Sequence, residues 1–284
     1  MGDEVCALPA IRLVRLLRER EISAVELLER VLARADEVAD NVNPFRRYRH
    51  SGPPEPPLGK AVHQLRVVAS EDLGFAPVDD DVRRVFRRVV AALTRAGVEF
   101  VADTAGLSSS AATWATIACA EARWSEAAEY ELRPDLLSSE VHEYLPFGEG
   151  IPTQAYVQAQ FERERIHRAY ADLFARTGAD VLLTPTLGGE AFAHGRRYPE
   201  AIGGVPIEPP WLDWSGCLYD SNLAGLPACA VPAGLGDDRL PVSVQVVGER
   251  WRDHLVLAAA QTIESTLAAI APSTGPARSE RQET

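Results

Sequence analysis

Apolar positions along the chain change period several times, and each change marks an element. Ile11, Val14 and Leu17 fall on one helical face; after a polar break, Ser23 and Glu26 form an S-x-x-E capping box ahead of Leu27, Leu28, Val31 and Ala35. The first fifty residues therefore predict a helical hairpin. LRVVAS, residues 65–70, suits a buried strand. Asp79 or Asp80 can cap a following helix in which Val82, Val85, Phe86, Val89, Val90 and Leu93 recur at i, i+3 and i+4; Gly97 ends it and VEFVA follows as a second strand. A strand, amphipathic helix and strand in succession predict two parallel strands joined by a right-handed crossover, which makes the fold class α/β.

Helical patterns return from about Ser109 to Leu132 and from Thr153 to Arg176, the second closed by Gly178 and followed by the strand DVLLTPT. Residues 187–213 have no clear period. Paired glycines, four prolines and Trp211 mark an irregular loop, of a length that in a compact domain usually means function or a partner. An apolar segment around LAGLPACAVP, the alternating strand PVSVQVVG at 241–248 and a helix over 253–268 complete the pattern. SGPPEPPLGK, residues 51–60, holds four prolines, which remove backbone donors and favour extended geometry. The expected organisation is a helical hairpin over 1–50, a proline-rich seam over 51–64, an α/β body over 65–271 and a disordered tail over 272–284. There is no internal repeat.

Composition narrows the function classes. A chain of 284 residues, 46% hydrophobic and 25% charged, buries a core without disulfide help. Its net charge of -12 argues against a nucleic acid or an anionic membrane surface as partner, since both need clustered cations. No run approaches the roughly 18 apolar residues of a membrane helix, and arginines interrupt the first apolar stretch where a signal peptide would build its core. A cytoplasmic location is expected. Cys6, Cys119, Cys217 and Cys229 are widely spaced and expected to be reduced and packed; no metal centre and no cofactor is expected.

Candidate chemistry begins at Gly106-Leu107-Ser108-Ser109-Ser110-Ala111-Ala112, a serine-rich turn feeding a helix. Such a turn can present a nucleophile beside backbone N–H donors, but serine is inert at neutral pH without a proton acceptor, and helix capping accounts for the same residues. Glu164 and His167 stand at E-x-x-H spacing once, among Glu162, Arg163, Arg165 and Arg168, as a solvated charged face would. His142 and His194 have no neighbouring ligand types. Gly188-Gly189 and Gly203-Gly204 lack the lysine and context of a phosphate loop and are read as loop glycines.

Taken in order, these segments resemble the amidase signature family. EISAVELLERVLARADEVADNVNPF is similar to the family's N-terminal helix with its closing Asn43-Pro44-Phe45 turn. LRVVASEDLGFAPVDDDVRRVFRRVVAALTRAGVEFV is similar to the βαβ unit of the family's second half, and RTGADVLLTPT to its strand ending in Thr184-Pro185-Thr186. The most specific block, SNLAGLPACAVPAGLGDDRLPVSVQVVGER, follows the family's Asn-Leu-x-Gly-x-Pro-Ala, Pro-x-Gly and Leu-Pro-x-x-x-Gln-x-x-Gly course. Roughly four fifths of the chain is covered. The resemblance implies a mixed sheet flanked by helices, with an internal deletion at the proline-rich seam.

The resemblance also implies what is missing. Active members use a lysine, a bridging serine and a nucleophilic serine, the last two in a Gly-Gly-Ser-Ser-Gly-Gly-Ser-like stretch that this chain lacks. Lys60, the only lysine, lies between Gly59 and Ala61, whereas the family's lysine follows an apolar strand and precedes an aspartate; in another register Ser70 falls where that lysine belongs. The Ser108–Ser110 run lies after the βαβ unit and without preceding paired glycines. The expectation is a catalytically inactive, ligand-binding or partner-binding pseudoenzyme. Its small amide or carboxylate ligand would be lined by Thr184, Thr186, Trp211, Trp214 and Asn222. The alternative is an active amide hydrolase or amidotransferase-type subunit using Lys60 with Ser108, Ser109 or Ser110, or residues from a partner. Loss of central strands would leave new sheet edges, so a homodimer or a heteromeric protein partner is expected.

Overall fold

The computed structural model describes residues 5–8, 10–38, 65–101, 103, 107–194, 196–209 and 212–270, and the chain divides into two compact units, Met1–Pro54 and Glu55–Thr284. The seam at 51–64 and the tail at 272–284 lie outside the described residues. In the first unit α1 (Ala10–Arg18) and α2 (Ala24–Val38) form the expected helices. The Glu26 N–H donates to Ser23 Oγ at 3.0 Å, and the Glu26 carboxylate pairs with Arg30 one turn on at 2.6 Å.

The second unit opens with the expected βαβ: β1 (Arg66–Ala69), α3 (Asp80–Arg95) and β2 (Glu99–Val101), with β1 and β2 parallel in the register Arg66↔Glu99. α3 buries Val82, Val85, Phe86, Val89 and Leu93, the stripe read from spacing. Its cap differs. Asp79 occupies the N-cap position without capping its own helix, because its carboxylate instead accepts the Gly203 N–H at 2.5 Å. Asp81 Oδ1 takes the Val82 N–H at 2.7 Å.

α4 (Ala111–Leu132) and α6 (Thr153–Thr177) match their patterns, but between them stands α5 (Ser139–Glu149), which no apolar period announces. It carries Pro146 and buries only Val141, Leu145 and Gly148. β3 (Val181–Pro185) is buried throughout. The stretch 187–213 is not wholly irregular: β4 (Ala201–Ile202) and β5 (Val205–Pro206) pair as a hairpin around Gly203 and Gly204, both at positive φ (57° and 75°) as a primed turn requires. Two-residue strands are too short to show alternation. The apolar segment after it resolves into α7 (Tyr219–Ala224) and β6 (Ala228–Leu235), followed by β7 (Pro241–Gly248) and α8 (Asp253–Ile270).

The sheet order is β2-β1-β3-β7-β6, with β1 parallel to β2 and β3, and β7 antiparallel to β3 and β6. Side-chain alternation gives each face its own core. Val67, Val181, Leu183, Val244 and Val246 pack with Phe86, Val89 and Leu93 of α3 and Val256, Ala259 and Ile263 of α8. On the opposite face Val68, Leu182 and Val247 pack with Ile166, Tyr170, Leu173 and Phe174 of α6 and Leu223 of α7. The fold is α/β, a mixed sheet flanked by helices.

Candidate functional site

In open α/β sheets ligands gather beyond the carboxyl ends of parallel strands, here β1 and β3. Ser70 follows β1. Its N–H donates to Leu183 O at 3.0 Å and its Oγ accepts the Leu73 N–H at 2.9 Å, so the hydroxyl oxygen is engaged in a turn. Glu71 and Asp72 are bridged by Arg83 Nη1 at 3.0 and 2.9 Å, and Arg87 Nε reaches Glu71 at 2.6 Å. The Arg87 hydrogen bond, joined by Arg83, holds the Glu71 carboxyl below its ordinary range.

At the end of β3 the Thr184 hydroxyl donates to Pro185 O at 2.9 Å and accepts from Gln245 Nε2 at 3.4 Å; Gln245 also donates to Cys217 O at 3.0 Å. Thr184 is fully buried. Thr186 donates its N–H to Ser243 O at 3.0 Å, while its Oγ1 is buried without a hydrogen-bond partner. Trp214 meets Phe192 edge-on at 6.3 Å and lines a cavity of about 270 Å³ together with Leu187, Glu190, Ile202, Val242 and Ser243. Asn222 is exposed on α7. Trp211 and Lys60 lie outside the described residues. Of the expected lining, then, Trp214 borders the cavity, Thr184 is sealed against Gln245, and Asn222 faces solvent.

Glu190 carries no signal in the sequence pattern. Burial, together with the neighbouring Asp81 carboxyl and the charges of Asp238 and Asp237, pushes it up to about 7. Gly236 leaves room for this side chain: a Cβ there would lie 1.3 Å from Glu190 Oε1.

Ser108 and Ser109 are exposed, and Ser110, at the N-cap of α4, is 2% exposed. Within the serine run Ser109 Oγ accepts the Ala111 N–H at 3.4 Å, whereas Ser110 makes no cap bond and its Oγ donates to Asp220 Oδ1. Tyr170 OH donates to Asp220 Oδ2 at 3.3 Å. Burial raises Asp220 to about 6, and burial followed by the Asp220 charge drives Tyr170 well above 10 and Cys217 up to about 12. This carboxylate joins α4, α6 and α7 in a closed polar knot. The sequence signal for it was an acid inside the apolar run before Asn222 and a tyrosine on the buried stripe of α6. The Ser110 hydroxyl is buried, whereas acyl transfer calls for an accessible hydroxyl, a base and oxyanion donors together.

Glu164 pairs with Arg168 at 3.3 Å, on the charged face expected of it. Among the described residues no group of three or more His, Cys, Asp or Glu side chains could hold a metal ion. All four cysteines are free; Cys119 and Cys217 are buried, and desolvation pushes the Cys119 thiol up to about 11.

A family model for amidases matches residues 18–257. The chain belongs to the amidase family. It is 30% identical over 141 residues to the fatty acid amide hydrolase of Medicago truncatula, a match covering 47% of this chain and 22% of that enzyme. It is 35% identical over 116 residues to the A chain of the glutamyl-tRNA(Gln) amidotransferase of Parvibaculum lavamentivorans, covering 38% of this chain and 20% of that one. Its fold superposes on a bacterial aryl acylamidase of the amidase signature family with TM-score 0.62 and 24% identity, over 74% of this chain and 45% of that one. This amidase-family chain thus spans less than half the length of the acylamidase and about a fifth of the two curated relatives in the matched stretches. No helix among its described residues is long and apolar enough to cross a membrane.

Proposed function

We propose that this chain is a non-catalytic member of the amidase family that binds a small amide or carboxylate ligand and acts through another protein chain. The observation that carries this reading is the position of Ser110: its hydroxyl is buried and bound to Asp220, while Lys60 is the only lysine in the sequence. A buried carboxylate that accepts two hydroxyls stabilises packing; it does not present a nucleophile to a substrate.

The ligand is assigned to the Trp214 cavity. Its volume, about 270 Å³, lies just under the roughly 300 Å³ at which drug-sized sites begin, so the occupant is small. Glu190 on its wall is an acceptor when ionised, which favours an amide N–H over a carboxylate ligand above neutral pH. Thr186, one residue before the lining Leu187, is not itself on the cavity wall; its buried hydroxyl has no partner.

A second reading, an active hydrolase or amidotransferase-type subunit using Lys60 with one of Ser108 to Ser110 or groups from a partner, draws support from relatives that are named as amidotransferase subunits. One experiment separates the two. The purified protein is expected to release no ammonia from simple amides and to leave every serine unlabelled by a fluorophosphonate probe. Turnover abolished by a single serine substitution, or by Lys60→Ala, establishes the second reading instead.

A further inference from the structure

We infer that the ligand of the Trp214 cavity is an aromatic amide that carries a positive charge. The inference rests on the proposed assignment of a small ligand to that cavity, and adds the ring and the charge. The walls are mostly apolar, with Leu187, Ile202 and Val242 beside Phe192 and Trp214. The two aromatic rings stand perpendicular with centroids 6.3 Å apart, and aromatic surfaces at right angles suit a flat ring. Ser243 on the same wall offers a hydroxyl to a carboxamide oxygen.

Charge selects among flat amides. Glu190 is the single charged residue on the wall, and no arginine, lysine or histidine among the described residues lines it. Its Oε1 is buried without a hydrogen-bond partner. Further carboxylates crowd behind it: Asp81, at the start of α3, lies within hydrogen-bond reach, and Asp237 and Asp238, on the turn after β6, act on it through their charge. Asp79 Oδ2 comes within 3.1 Å of where a Cβ on the lining Gly189 would stand. The arginines that reach this corner from α3 are engaged, since Arg84 pairs with Asp237 and Arg88 Nη2 donates to Leu235 O at 3.0 Å. Arg239 stands exposed on the same turn. Every charge that shifts the Glu190 carboxyl is nevertheless negative.

A carboxylate ligand would add one more negative charge to this set, and a neutral amide would leave the set unbalanced. A cation favours ionised Glu190 over its protonated form, and the face of a tryptophan attracts it through the ring quadrupole. A pyridinium ring that bears a carboxamide meets each of these features. Its flat ring matches the aromatic wall, its fixed charge the carboxylates, and its carboxamide the Ser243 hydroxyl. One six-membered ring with small substituents also fits a volume of about 270 Å³.

The test titrates the full chain calorimetrically with two probes of the same shape: 1-methylnicotinamide, which carries a permanent positive charge, and 3-methylbenzamide, which is neutral. At pH 8 the cation is expected to bind about tenfold tighter. That preference is expected to shrink as pH falls to 5 and Glu190 takes up its proton, whereas the affinity of the neutral probe stays level. Glu190→Gln is expected to bring the two affinities within about twofold of each other, and Trp214→Ala to weaken both. Should Glu190→Gln not fold, Asp238→Asn on the exposed turn is expected to lower the preference about twofold without changing the affinity for 3-methylbenzamide. Equal affinities for the native protein overturn the inference and leave the cavity as the ligand site. A preference that survives Glu190→Gln, or Asp238→Asn where that variant stands in, overturns it as well. If neither probe binds, or Trp214→Ala alters neither affinity, the assignment of the ligand to this cavity fails and the inference falls with it.

Discussion

Ser110 Oγ donates a hydrogen bond to Asp220 Oδ1, tying the N-terminus of α4 to the first turn of α7 between residues 110 positions apart. The position suits an acid, since both helix N-termini carry partial positive charge. Burial nevertheless dominates and raises Asp220 from 3.8 to about 6.

An acid with a raised folded pKa holds its proton more tightly in the fold than in the unfolded chain. Its contribution to stability is complete below about pH 4 and is lost as pH rises through about 6. Asp220→Asn keeps the shape and an acceptor for Ser110 but cannot ionise. Between pH 4 and 7 the native protein is expected to lose about 2 kcal/mol relative to this variant. Urea unfolding at each pH measures the difference, and parallel curves refute it.

Glu190 acts in the same sense over a higher window. Burial and the adjacent Asp81 favour its neutral form, so stability is expected to fall as pH climbs from about 4.5 through 7. Glu190→Gln should flatten this decline, seen as a smaller gap in melting temperature between pH 5 and pH 8. An unaltered gap removes Glu190 as its source.

The α4–α5 contact is a close backbone approach at Gly148. A Cβ at this position would stand 2.2 Å from Cys119 O, whereas one at Gly150 meets nothing within 4 Å. Gly148→Ala is therefore expected to cost about 2–4 kcal/mol and Gly150→Ala less than about 1 kcal/mol. Thermal unfolding of the pair gives the comparison, and equal losses contradict it.

Trp214 supplies an aromatic wall of the proposed ligand cavity. Replacing it by alanine removes the edge contact with Phe192 and the apolar surface beside Glu190. Benzamide, small enough for the cavity, is expected to bind the native protein and to lose at least about tenfold in affinity in Trp214→Ala. Calorimetric titration tests this, and equal affinities place the ligand elsewhere.

What was legible from sequence follows element length and locality. Val82 through Leu93 repeat for three turns and specify both α3 and its buried face. Ala201–Ile202 and Val205–Pro206 pair through two residues each, too few to show a period. Pro146 disguised α5. Asp79 stood where a cap belongs, but a hairpin far along the chain claimed its carboxylate. The site was legible only in part for the same reason. That Ser110 needs a proton acceptor follows from its chemistry, whereas the identity of Asp220 as its partner depends on how α7 lies across α4. Thr184 read as a pocket residue because loop-proximal threonines often are, and its engagement with Gln245 is a product of the β3–β7 register.

The parallel pairing of Val67–Ala69 with Val181–Leu183 spans the whole of α4, α5 and α6. Contacts of such high contact order incur a large loop-closure entropy before they yield any hydrophobic gain. The neighbouring strands β6 and β7, joined by a short turn, can zip early, but the middle of the sheet must wait for β3. During synthesis the ribosome releases β1 long before β3 exists, which leaves Val67 dependent on α3 for shelter and Val68, on the opposite face, uncovered until α6 emerges.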